Sequence, residues 1–220
     1  MRERRPNLPW HRDAWQSRVD NFETAELDSQ WVMQRPPKEK FWTLADRPGF
    51  LRLFALPVLA EEKASSAAVL RRQQHNDFQA AMAMEFDPQN DGEEAGLLLT
   101  QNERFSYLLV KERFEGINRL VCWQIFNGER ILASSVEVPE GRIYLYVEGR
   151  PGAYNFYWGM SEREMKPLAL DVDGTFLSTL VADGYVGVMM GMYISNGRAE
   201  QQDSECHADF DWFRYEMIEG

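Results

Sequence analysis

The feature that most constrains this chain is its punctuation. From Trp31 onward, short apolar runs are separated by turn signals at close spacing, among them "QNDGEE", "FNGER", "PEGR", "DVDG", "VADG" and "SNGR", all rich in Asn, Asp and Gly. These residues accept left-handed backbone or bond their own main chain, which is what tight turns demand. A chain interrupted this often builds its core from many short strands, in a sandwich or a barrel. The runs agree: in "DFQAAMAMEF" the residues Phe78, Ala80, Met82, Met84 and Phe86 fall on one face of a period-two repeat. "GRIYLYVEG", "GAYNFYWGM" and "GYVGVMMGMYIS" behave similarly, with mixed or wholly apolar faces suited to strands between layers. One stretch differs, since the Ala, Glu and Lys of "LPVLAEEKASSAAVL" suit a short helix or a surface loop.

With 220 residues, 44% of them hydrophobic, the chain can bury one sizeable core, and neither a repeat nor a Pro/Ser linker divides it. It therefore reads as an all-β fold in a single domain over 20–220, preceded by an N-terminal extension over 1–19. A formal net charge of −11 repels nucleic acid and anionic membranes, which excludes both as partners and leaves neutral ligands and cations. Cys122 and Cys206 lie far apart without CxxC spacing, so zinc and redox motifs are absent, while a structural disulfide stays open. The basic start "MRERRPNLPW" leads into no apolar segment of signal-peptide length, and no run reaches membrane-span length. The expected location is the cytoplasm.

Nucleophilic and phosphate chemistry find little support. There is no Gly-x-Ser-x-Gly elbow and no Gly-rich loop opening a helix, and His11, His75 and His207 read as surface or packing residues. The carboxylates of "HADFDWFRYEMIEG" need more care. Residues two apart on a strand share a face, so Asp209 and Asp211 would stand about 7 Å apart. That lies in the roughly 6.5–9.5 Å range of inverting glycosidase pairs, yet catalytic acids face each other across a cleft rather than standing side by side. Glu93 and Glu94, as neighbours, would point to opposite faces. Two further readings of the closing strand compete: half of a metal site whose other half comes from Asp20 in "SRVDNFETAELDSQW", or a solvated acidic edge. Phe210 and Trp212 alternate with the acids and are expected in the core.

Trp42, Trp123, Tyr154, Tyr157 and Trp158 could form a sugar-stacking platform, with core packing as the competing role. "LRRQQHNDF" places Arg71, Arg72, Gln73, Gln74 and His75 in a row, on what reads as a strand, and makes one face of it a candidate polar groove.

The motifs "DRPGFLRLFA", "RRQQHNDFQAAMAMEFDPQNDGEEAGLLLTQNERFSYLLV", "GRIYLYVEGRPGAYNFYW", "GYVGVMMGMY" and "ADFDWFRYE" resemble, in order, the C-terminal concanavalin A-like β-sandwich of glycoside hydrolase family 43 β-xylosidases, from about Phe22 to Tyr215. The resemblance implies a jelly roll of two antiparallel sheets. It also implies an accessory module without the catalytic propeller, akin to family 91 xylan-binding modules. Such a module would bind xylan or xylo-oligosaccharide, or complete a separately encoded propeller or a homo-oligomer. A xylan-binding class suits the polar run above, whose Arg72, Gln74 and His75 are the candidate ligand-binding residues, and the resemblance adds Tyr185 in "VADGYVGV", where relatives often carry Phe in a loop that helps close the xylose pocket. It implies a structural calcium on Asp20, Gly49 and Asp211, with Asp209 matching no ligand position. The alternatives are a glycoside hydrolase acting through the concave face, for which the usual Glu-x-Asp-x-x-Glu arrangement is missing, and a purely structural or oligomerising domain.

Overall fold

The computed structural model describes residues 18–184, 187–197 and 206–218. Among them run β1 (Arg18–Asp20), β2 (Trp42–Thr43), β3 (Leu51–Phe54), β4 (Ala67–Arg72), β5 (Phe78–Glu85), β6 (Glu94–Asn102) and β7 (Phe105–Phe114). There follow β8 (Ile117–Phe126), β9 (Glu129–Glu137), β10 (Arg142–Arg150), β11 (Ala153–Gly159), β12 (Lys166–Asp173), β13 (Met189–Ser195) and β14 (His207–Met217). A 3-10 turn (Thr175–Leu177) and one helical turn, α1 (Thr179–Ala182), lie between β12 and β13. The turn signal in "FNGER" acts as expected, since Phe126 pairs with Glu129 across Asn127–Gly128; Phe114 likewise pairs with Ile117, which makes Glu115–Gly116 a second two-residue hairpin loop, one not among those signals. All four of those residues have positive φ, the geometry that matches strand twist.

The strands form two antiparallel sheets. An eight-stranded sheet has the order β12-β11-β10-β5-β14-β3-β2 with β1 also on β14, and a six-stranded sheet has the order β4-β13-β6-β7-β8-β9. The main core lies between them. Inward residues of β5 (Phe78, Ala80, Met82, Met84), β10 (Ile143, Leu145, Val147) and β14 (Phe210, Phe213, Tyr215) meet Val69, Leu97, Leu99, Leu109, Leu120 and Met192 from the other sheet. The all-β sandwich is as the sequence implied. β1 begins at Arg18, so pairing with β14 draws Arg18 and Val19 into the domain, ahead of the boundary expected at residue 20.

Two local expectations change, and one open alternative is decided. β4 ends at Arg72, and Gln73–His75 form a turn because the backbone N–H groups of Gln74 and His75 donate to the Tyr215 hydroxyl at 2.9 and 3.1 Å instead of to a strand. On β14 the register shifts so that Phe210 opposes Met84 and Trp212 opposes Ala83, leaving Asp211 as the extra residue of a bulge. Phe210 is therefore in the core as expected, but Trp212 points outward and Phe213 takes the inward place. The stretch from Pro57 to Ser66 is a loop, not a helix, and its Ala60 packs on a second apolar cluster with Leu70, Leu98, Leu108, Val110 and Tyr193. Cys122 and Cys206 are both free thiols.

Candidate functional site

One end of the sandwich gathers three turns. The 73–77 turn, the Pro151–Gly152 turn and the 174–180 segment surround an open hollow of about 410 Å³, with Gln73, Arg150, Tyr154, Thr175, Leu177 and Leu180 among its lining residues. The β12–β13 connection that carries this segment is anchored from within. Phe176 and Leu177 are buried, and the Phe176 ring packs on Tyr107 at 5.0 Å and Phe126 at 6.0 Å. The Ala182 carbonyl accepts from Asn102 at 2.9 Å. Between these anchors Leu180 projects with 97% of its surface exposed. Gly184 and Gly187, both at positive φ, flank Tyr185, which itself lies outside the described residues.

The polar run contributes differently from its expected role. Gln73 lines the hollow, its carbonyl accepting from the Tyr154 hydroxyl at 3.1 Å and its amide donating to the His75 carbonyl at 2.9 Å. Arg72 and Gln74 are exposed just outside it. His75 stacks on Tyr215 with 5.8 Å between centroids, and Arg71, pointing inward, lies 4.6 Å over the same ring. Burial first, then the Arg71 charge, lowers the His75 pKa. The turn thus lines the hollow with Gln73 and Asn76, leaves the Gln74 side chain exposed and packs His75 on Tyr215.

The second cluster lies on the outward face of the eight-stranded sheet. Register places Arg142, Glu85, Asp209 and Arg52 in one row across β10, β5, β14 and β3. Arg52 grips Asp209 through two bonds of 2.7 and 2.8 Å, and Arg47 bridges Asp209 and Glu85 at 2.9 and 2.7 Å. Arg142 reaches Glu85 at 2.8 Å and Asp211 at 2.6 Å. Burial acts to raise the Asp209 pKa, but its bonds to Arg52 and Arg47 outweigh it and hold the carboxyl below the usual range. Glu85 is likewise lowered, by Arg47 foremost. Asp209 is thus nearly enclosed and doubly paired.

Asp20 behaves as a structural acceptor. It opposes Phe213 and so shares the inward face, where its carboxylate accepts from the Trp31 indole at 2.6 Å and the Phe22 amide at 2.9 Å. Asp211 is held outward by Arg142. Gly49 occupies the turn before β3 at a φ of 80°. The two carboxylates lie on opposite faces of one sheet, and among the described residues no group of three or more His, Cys, Asp or Glu could hold a metal ion. As arranged, these side chains do not fit a calcium ion, which takes six to eight oxygens in one shell.

Of the rings considered for sugar stacking, Tyr154 and Trp158 are buried in the core. Trp42 is half-buried beneath Lys40, and Trp123 donates to Glu112 on the six-stranded sheet. Tyr157 faces outward beside Tyr146. Sequence reasoning missed Tyr144, Tyr146 and Trp212, although in "GRIYLYVEG" the tyrosines alternate with Ile143, Leu145 and Val147, a period of two that puts them on the other face.

Comparison with known proteins follows the same outline. The family model of the β-xylosidase C-terminal concanavalin A-like domain matches residues 19–216. A non-reducing end α-L-arabinofuranosidase of Bacteroides ovatus is 29% identical over 217 residues, covering 97% of this chain and 40% of that protein. A β-xylosidase of Bacillus subtilis is 26% identical, covering 92% and 39%. The crystal structure of a xylan β-1,4-xylosidase from Bacillus halodurans superposes with a TM-score of 0.84 at 25% identity, over 96% of this chain and 41% of that one. The chain thus spans about 40% of the length of the curated relatives it matches.

Proposed function

The chain belongs to the family of β-xylosidase C-terminal concanavalin A-like domains, and from that premise we propose that it is an accessory sandwich that associates with xylan-type polysaccharide and does not itself cleave it. The observation that carries this reading is the family match across residues 19–216. The acids of the outward cluster support it. A glycosidase needs one carboxyl kept protonated as general acid, whereas Glu85 and Asp209 are both held low by arginines. The 173–188 connection favours a companion role at the same time. Leu180 and Val181 expose apolar surface on a segment anchored by buried Phe176, Leu177 and Ala182, a geometry suited to packing against a catalytic domain.

Calorimetric titration of the chain with xylo-oligosaccharides, with chromatography of the same mixture, tests the reading. Saturable heat with the oligosaccharide recovered intact is expected. Release of xylose by the chain alone would overturn it, and absence of binding would remove its carbohydrate half.

A further inference from the structure

An antiparallel sheet with one face toward water alternates apolar residues inward with polar residues outward. β10 obeys the inward half of that rule with Ile143, Leu145 and Val147, but its outward positions include Tyr144 and Tyr146. Strand registers extend the departure across the sheet. One outward row runs Tyr157, Tyr146, Ala81, Arg214, and the next runs Tyr144, Ala83, Trp212. On either side lie polar rows: Asn155, Glu148, Gln79 and Glu216 at one end, and Arg142, Glu85 and Asp209 at the other.

The alanines explain how the rings lie. β10 and β14 are separated by β5, two strand spacings or roughly 9.6 Å, yet the Tyr144 and Trp212 centroids are 6.3 Å apart. The two rings therefore lean together over Ala83, which is fully buried beneath them. Tyr146 and Tyr157 meet edge to face at 5.4 Å on the neighbouring strands. All four rings remain half-exposed. They form a shallow aromatic floor from β11 to β14, about 14 Å across by strand spacing.

We propose that this floor binds a neutral xylan-type oligosaccharide, its sugar faces stacking on Tyr157, Tyr146, Tyr144 and Trp212 and its hydroxyls meeting the Gln79–Glu148–Glu216 row. The proposal rests on the carbohydrate association proposed above and assigns it a surface. Charge selects the occupant. Arg142 is neutralised by Glu85 and Asp211, and Arg214 lies 3.7 Å from Glu162 and 3.9 Å from Glu216, so the face offers no surplus charge to an ion. Polar groups at the margin are already oriented: the Tyr146 hydroxyl donates to the Gln79 carbonyl at 2.8 Å, and the Gln79 amide donates to Glu216. A pyranose ring, with an apolar C–H face and a rim of hydroxyls, matches an aromatic floor with polar edges. Of the more exposed aliphatic side chains that a protein partner would bury, Leu180 and, on β9, Ile131 and Leu132 lie elsewhere, while Leu170 on β12 and Val19 on β1 sit at the margins of the same sheet and outside the four-ring floor.

The test is titration of the full chain and its variants with xylohexaose. Trp212→Ala and Tyr144→Ala are each expected to weaken binding at least about tenfold, as loss of a central stacking ring does. Gln73→Ala, in the hollow at the end of the sandwich, should leave binding unchanged. Tyr157→Ala, at the edge of the floor, is a second variant should the central ones lose their fold on melting, and a several-fold loss is expected there. Wild-type affinity in folded floor variants would overturn this inference while leaving the carbohydrate reading intact, and loss on Gln73→Ala alone would move the site to the hollow. No binding by the wild-type chain would overturn both.

Discussion

The outward face of the six-stranded sheet carries Leu70, Leu98, Leu108, Val110 and Tyr193 beneath the 57–66 loop, whereas that of the eight-stranded sheet carries half-exposed Tyr144, Tyr146, Tyr157 and Trp212. The covered face is sealed by an ionic network. Arg130 makes paired bonds of 2.7 Å to Glu94 and bonds of 2.7 and 3.1 Å to Glu61 on the loop, while the Tyr193 hydroxyl donates to Glu94 and accepts from the Ala60 amide. Burial opposes the Arg130 charge, but Glu94 and Glu61 together hold it more firmly protonated than an ordinary arginine. Aliphatic residues under a tethered loop make a second core, and aromatic residues over alanine make a surface. The difference teaches that outward apolar residues on a sandwich mean different things according to whether the chain supplies their cover.

The comparison can be broken at its strongest point. Glu94→Ala removes the acid that joins Arg130, Tyr193 and the loop, and should cost about 3 kcal/mol in denaturant unfolding, near the lower end for a broken buried pair because Glu61 still faces Arg130. Tyr193→Phe leaves the Ala60 amide and Glu94 without its hydroxyl and should cost about 1–3 kcal/mol by the same measurement. Neither substitution should alter xylohexaose affinity in the folded protein. Asp209→Ala on the open face should cost only about 1 kcal/mol, since its arginines are partly solvated and Glu85 retains Arg47.

Acid titration sharpens the contrast further. Because Asp209 and Glu85 have lowered pKa values in the fold, their contribution is complete above the ordinary carboxylate range and is lost as pH falls through the folded values, below about pH 4. Wild-type melting temperature should fall there, and the fall should be smaller in Asp209→Ala. The smallest effect concerns His75. Its pKa is also lowered, so the unfolded chain takes up its proton first, and stability should decline slightly as pH drops below about 6.5, a decline missing from His75→Gln.

Much of the fold is legible from the residues. Asn127–Gly128 and the alternation of β5 specify hairpins and an inward face through purely local rules. What escapes is what depends on a distant partner. β4 stops at Arg72 because a hydroxyl from the last strand captures the next two amides. The bulge at Asp211 turns Trp212 outward, and no local feature of "DFDWFRY" marks it. The loop at 57–66 takes its place from Glu61 and Ala60, whose partners Arg130 and Tyr193 lie far along the chain. The sequence offers Asp20 as a candidate metal ligand, yet its carboxylate meets an indole eleven residues on, a contact that only the folded turn creates. The aromatic floor lies between these cases. Tyr144 and Tyr146 can be read from alternation, but Trp212 and the alanine bed appear only once strand order is known.

The central claim, that the uncovered aromatic face is the carbohydrate surface of an accessory sandwich, is tested most directly by backbone amide NMR of the chain titrated with xylohexaose. Shift changes that saturate and cluster on 79–85, 142–148 and 211–216, with the 57–66 loop silent, are the predicted result. Changes confined to the loop-covered face or to the 73–77 and 173–184 turns would contradict it.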